Sequence, residues 1–154
     1  MTRGVSPVVA APLLVGVTVV LAAVVGMMAM EFGPPSHEEP RVLSAHATAD
    51  GRVELIHESG PAINLRRVSI VVRVDGEPLD HQPPVPFFSA SGVSPGPTGA
   101  FNVATDPRWE PGERATFRVA GTNSPPLRGG ATVSIRVVRE ETRIALVETT
   151  VEST

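Results

Sequence analysis

Hydrophobic positions divide the chain into two parts with different periods. From Val5 to Met30 there is no charged residue, and apolar residues run almost without interruption. Beyond Met30 the apolar residues alternate with polar ones in short runs, the period of strands with one buried face. Arg41 to Ala49 and Arg52 to His57 flank Asp50-Gly51, a hairpin signal. Leu65 to Val74 places Val68, Ile70, Val72 and Val74 on one face and ends at a second Asp75-Gly76 turn. Ala115, Phe117 and Val119 alternate with Thr116 and Arg118, and Val133, Ile135 and Val137 alternate with Ser134 and Arg136. The last run spans Ile144 to Val151. No helical period is visible past Met30. The pattern predicts a mainly β protein: an N-terminal transmembrane α-helix followed by an antiparallel, immunoglobulin-like β-sandwich of six or so strands.

As a helix, the 26 residues from Val5 to Met30 would measure about 39 Å at 1.5 Å per residue, more than the ~30 Å of a bilayer's hydrocarbon core. Of the 13 basic residues only Arg3 precedes the segment, and all 16 acidic residues follow it. That asymmetry predicts a cytoplasmic N-terminus and an extracellular C-terminal domain. A discarded secretory signal peptide would have a shorter apolar stretch ending in small residues. Here the run ends Gly26-Met27-Met28-Ala29-Met30-Glu31.

Charge and composition narrow the partners. The segment after Met30 holds 12 arginines against 16 acidic residues, a formal charge of −4, which gives no footprint for nucleic acid. Lysine, tyrosine and cysteine are absent, so disulfides and thiolate metal sites are excluded. An arginine-only, acid-leaning surface fits a salt-loving host and equally a GC-rich genome. Gly33 to Pro40 is a proline-rich, charged connector whose prolines break the helix.

The start of the apolar segment is the most specific feature. Arg3-Gly4-Val5-Ser6-Pro7-Val8-Val9, leading into Leu13 to Gly26, resembles the N-terminal signature of archaeal type IV pilins, in particular haloarchaeal ones. In that family a basic and a small residue precede a Val-Ser-Pro-Val start and a long helix rich in valine, alanine and glycine. The resemblance implies a leader removed by a membrane prepilin peptidase, with the cut at Gly4/Val5 or, as the close alternative, Arg3/Gly4. It also implies assembly with other pilin subunits, by pilus assembly machinery, into a surface filament for adhesion. The organisation expected is a leader at 1–4, a transmembrane and assembly helix at 5–32, a linker at 33–40 and an extracellular domain at 41–154. A single-pass membrane-anchored binding protein that does not polymerise is the alternative.

The helix has physical support for such a role. Pro7 suits a first turn, where a missing amide proton costs nothing, and Ser6 can cap it. Thr18, Ala22 and Gly26 recur at i+4, a small-residue stripe that lets neighbouring helices approach. Two positions depart from pilin patterns. Pro12 falls inside the helix and is expected to kink or loosen its first turns. Val9 stands where bacterial members carry a glutamate that archaeal members commonly lack.

Between Pro78 and Pro111 lies a long stretch rich in proline, glycine and serine, a length that marks a functional or disordered loop. Its Phe87, Phe88, Phe101 and Trp109 either pin the loop onto the core, the favoured reading, or form a contact surface. His81 to Phe88, followed by Gly96-Pro97-Thr98-Gly99 and Phe101-Asn102, resembles part of a haloarchaeal pilin-type ectodomain. No catalytic constellation emerges. His37, His46, His57 and His81 lack zinc-site spacing, although His46 and His57 could face each other across the Asp50-Gly51 hairpin. No serine occupies a nucleophile elbow, and the glycine-rich pieces do not open a helix as phosphate cradles do. The expectation is a non-enzyme with no cofactor and no metal.

Overall fold

A computed structural model describes residues 6–31 and 39–153. These belong to two compact units, one ending at Glu38 and the other beginning at Glu39. The first contains a single helix, α1 (Pro7–Glu31). It starts as the sequence dictates: the Ser6 carbonyl accepts from the Val9 and Ala10 amides at 2.9 and 3.0 Å, which places Pro7 at the first helical position. Pro12 lies inside, and the helix runs through it to Glu31.

The second unit is built of nine strands: β1 (Val42–Thr48), β2 (Arg52–Ser59), β3 (Ile63–Asn64), β4 (Ser69–Val74), β5 (Glu77–Pro78), β6 (Arg108–Trp109), β7 (Arg114–Arg118), β8 (Thr132–Arg139) and β9 (Thr142–Glu152). Seven of them form one curled sheet in the order β5-β4-β8-β9-β1-β2-β7, and β3 pairs with β6 separately. The β5-β4-β8-β9 half and the β1-β2-β7 half are antiparallel within themselves. They are joined by a short parallel contact, Ala47 with Val151 and Thr48 with Glu152. That parallel seam is the departure from an all-antiparallel sandwich. It lies at the C-terminal end of β1, where Ala47 pairs with Val151 along one edge while pairing with Val53 of β2 along the other.

Period-two alternation decides what fills the interior. Val53 and Leu55 on β2 and Ala115 and Phe117 on β7 are buried with Ile70, Val72 and Val74 on β4 and Val133, Ile135 and Val137 on β8. Of the expected strand from Leu65 to Val74, the first three residues instead form a 3-10 turn. Asn64 starts that turn by accepting the Arg66 amide at 3.0 Å on its side-chain oxygen, so the extended run begins only at Ser69.

The 78–111 segment is ordered by side chains that replace missing ladder partners. The Gln82 amide accepts from Val72 N at 2.7 Å and donates to the Val72 and Leu79 carbonyls at 3.0 Å each, capping the edge of β4. Buried Asn123 donates to the His81 and Gly92 carbonyls at 2.8 and 2.9 Å and accepts from His81 N at 3.1 Å. Phe87, Phe101 and Trp109 are buried, so pinning holds for three of the four aromatics; Phe88 is 62% exposed.

Two hairpin turns have positive φ at two consecutive residues. Asp75 (49°) and Gly76 (86°) join β4 to β5 with a sequence suited to that geometry. Glu140 (48°) and Glu141 (70°) join β8 to β9 without glycine or asparagine, at a cost of roughly 1 kcal/mol or more per residue. Glu140→Asn with Glu141→Gly is therefore expected to raise the unfolding free energy by about 1–2 kcal/mol. Denaturant titration checks this; unchanged or lower stability would show that the turn is not strained.

Candidate functional site

The candidate site from the sequence is α1 together with the residues before it. Every side chain described from Ser6 to Met28 is exposed, and an 18-residue window within Pro7–Met28 has a mean hydropathy of 2.8. The helix is therefore apolar on all sides, the pattern of a segment surrounded by lipid or by other helices rather than of an amphipathic surface helix. Its 25 residues correspond to about 37 Å, and a helix satisfies its own backbone within the hydrocarbon.

One polar side chain sits in the middle of this surface, and it is locally satisfied. Thr18 Oγ1 donates within the helix, 2.8 Å from the Val15 carbonyl and 3.1 Å from that of Leu14. Thr18 can therefore face an apolar environment without an orphaned donor. Ala22 and Gly26 follow it at one-turn spacing on the same face. A Cβ built on Gly26 would meet nothing within 4 Å, and the same holds for Gly16. Nothing inside the described chain requires glycine at these positions. The proposed cleavage residues Arg3, Gly4 and Val5 lie outside the described residues, as does most of the 33–40 linker.

In the outer unit, the structure separates the two histidines considered together in the sequence. His46 is exposed and pairs across the hairpin with Glu54, whereas His57 pairs with Leu43 and is fully buried. They sit on opposite faces of the sheet because they differ in alternation parity relative to the core. His57 is a core residue: its ring lies 5.5 Å from the Trp109 ring, and Nδ1 is 3.2 Å from the Trp109 carbonyl. A carbonyl only accepts, so Nδ1 carries the proton. Among the described residues no group of three or more His, Asp or Glu could hold a metal ion.

The tip of the β1–β2 hairpin carries a clearly perturbed carboxylate, Asp50. The Thr48 hydroxyl donates to Asp50, the Arg52 amide donates at 3.3 Å, and Arg118 Nη1 lies 2.7 Å from Oδ2. These interactions, the Thr48 hydrogen bond first, hold Asp50 below the ordinary carboxylate range. Gly51 (φ 88°) lets the tip close on β7: a Cβ there would lie 2.4 Å from the Val119 carbonyl oxygen.

Residues 3–43 match the family model described as archaeal type IV pilin, N-terminal. The chain carries an archaeal type IV pilin N-terminal domain. The match includes Arg3 to Val5, all of α1 and the stripe of Thr18, Ala22 and Gly26, and it stops at the first residues of β1. Among solved structures, the chain is similar to a subunit of "the archaeal flagellum of Methanospirillum hungatei strain JF1", at 14% identity and a TM-score of 0.39, covering 96% of this chain and 94% of that one. Comparison with curated proteins gives no match.

Proposed function

We propose that the protein is a type IV pilin subunit, cut by a prepilin peptidase at Gly4/Val5 and assembled through α1 into a surface filament for adhesion. In this reading the pilus assembly machinery extracts the subunit from the membrane, where it is held with its N-terminus cytoplasmic and its β unit outside. Its role is structural and adhesive rather than catalytic, and it needs no cofactor. The observation that carries the reading is the pilin domain match over the very residues whose helix is apolar on every side. A helix with that surface is stable in lipid before assembly and among other helices afterwards.

Gly26 provides the test. Because its α-hydrogen faces open space within the subunit, Gly26→Leu adds a side chain that the isolated helix accommodates. The leucine collides only where another helix approaches. The variant is expected to remain in membranes at wild-type level and to reduce the filaments recovered by shearing at least tenfold, about 1.4 kcal/mol per contact or more. Wild-type filament yield from Gly26→Leu would remove the stripe from the interface, and absence of the wild-type chain from sheared filaments would refute assembly.

A further inference from the structure

On the outer face of the β unit two positive charges are set against each other. Arg52 on β2 and Arg118 on β7 are direct cross-strand partners. Like charges in that relation weaken a sheet. Neighbouring acids offset them in part. Arg118 Nη1 reaches Asp50 Oδ2 at 2.7 Å and the Asp50 carbonyl at 3.3 Å. Arg52 Nη2 lies 3.5 Å from Glu54 Oε2, while Arg114 takes the other oxygen of that carboxylate at 3.3 Å. Each of the two guanidiniums thus has acidic contact through a single terminal nitrogen, which leaves most of its five donors for other partners.

Beside this pair the chain builds a cleft, for a reason visible in the sequence. Segment 94–98 runs along the free edge of β7, held at one end by Ser94 N to the Arg118 carbonyl (2.8 Å). Its other end is held by Thr98 and Thr116, which exchange amide bonds at 2.9 and 3.2 Å. Between these anchors, Pro95 and Pro97 have no amide proton to donate. The Gly96 amide turns away to the Phe88 carbonyl at 2.8 Å. The segment therefore arches off β7 over a cavity of about 280 Å³ lined by Arg52, Arg118, Ser94, Thr98 and Thr116 among others, with no carboxylate in its wall. Phe88, to which the arch is tied, is the exposed aromatic of this region.

We propose that this cleft binds the anionic group of an acidic polysaccharide, a sulfate or a carboxylate, with Arg52 and Arg118 as its charged contacts. The guanidinium fork matches both groups in two-point geometry, and the hydroxyls of Ser94, Thr98 and Thr116 suit the hydroxyls of a sugar residue. The size and openness of the cleft fit one residue of an extended chain rather than a buried small molecule. With a formal charge of −4 after Met30, the domain repels polyanions in general, so the recognition is local to the cleft. The proposal rests on the adhesive reading above and gives that adhesion a ligand chemistry.

The test uses the full chain in non-ionic detergent micelles over immobilised dextran sulfate, polygalacturonate and neutral dextran. Binding is expected to one or both acidic polymers and not to neutral dextran; the stronger of the two identifies the anionic group. Arg52→Ala with Arg118→Ala is expected to weaken that binding about tenfold or more, with Trp109 fluorescence unchanged. Arg66→Ala with Arg67→Ala, removing two exposed arginines elsewhere, is expected to leave it unchanged. Equal loss in both double variants, equal binding to neutral dextran, or no binding to either acidic polymer would overturn the proposal. Filaments are scored separately by shearing, so failure of binding is distinguishable from failure of assembly. If the Arg52/Arg118 variant loses filaments while the wild type binds no polymer, the cleft belongs to a neighbouring subunit's carboxylate, and the proposal falls.

Discussion

Trp109→Ala is expected to destabilise the β unit by about 3–5 kcal/mol, a large part of the 5–15 kcal/mol typical of a domain. Trp109 is the sole tryptophan and is fully buried. Its ring packs edge-on to Phe101 at 5.4 Å and lies 5.5 Å from His57. Its indole Nε1 donates to the Glu113 carbonyl at 3.0 Å, and its own carbonyl is 3.2 Å from His57 Nδ1. Through β6 it also pairs with Ile63 on β3. Truncation would open a cavity at the point where the 78–111 segment meets the core and would leave the Glu113 carbonyl with one donor, the His57 amide at 3.1 Å, instead of two. Trp109→Phe fills most of the volume and should cost roughly half as much. Denaturant unfolding followed by far-UV circular dichroism measures both; a loss below about 1.5 kcal/mol for the alanine variant would show that the segment is held elsewhere.

Val19→Arg is expected to separate anchoring from assembly. An arginine at the centre of a membrane helix costs about 2.5–3.5 kcal/mol, while each Val or Leu contributes about −0.3 to −0.6. The many Val and Leu residues of Pro7–Met28 are therefore enough to offset one charge, and the long side chain can snorkel. The variant should still sediment with membranes and resist carbonate extraction. In a filament core the same arginine would sit among apolar helices without a counter-charge, and breaking even is no longer possible. Sheared filaments should fall below detection. Filaments at wild-type yield would mean that Val19 faces away from every neighbour.

How much of this was legible in the sequence follows from which interactions are local. The helix needed only a long uncharged run with Pro7 at its start, and the strand faces needed only alternation: Ile70, Val72, Val74 and Val133, Ile135, Val137 all lie inward as the pattern requires. The Asp50-Gly51 and Asp75-Gly76 turns were equally readable, because glycine supplies the positive φ there. The parallel seam of β1 with β9 was not, since it joins residues about a hundred positions apart and leaves no mark on period or turn chemistry. The role of His57 was half visible: its parity with Val53 and Leu55 points inward, but a histidine invites a ligand reading, and only the Trp109 carbonyl explains its burial. The cleft at Arg52 and Arg118 depends on register between strands and on an arch set by two prolines, so no local pattern announced it. For α1 the position is reversed. Its site is legible in the sequence, and the structure adds chiefly the local pairing of Thr18 with the Leu14 and Val15 carbonyls.

The N-terminal residue of the mature protein, read by Edman degradation or mass spectrometry of material purified from membranes, tests the central claim most directly. A start at Val5, or at Gly4 by the alternative cut, is the expected result, and Gly4→Leu should abolish it. An intact Met1 would contradict prepilin processing, and a start beyond Met30 would contradict retention of the helix altogether.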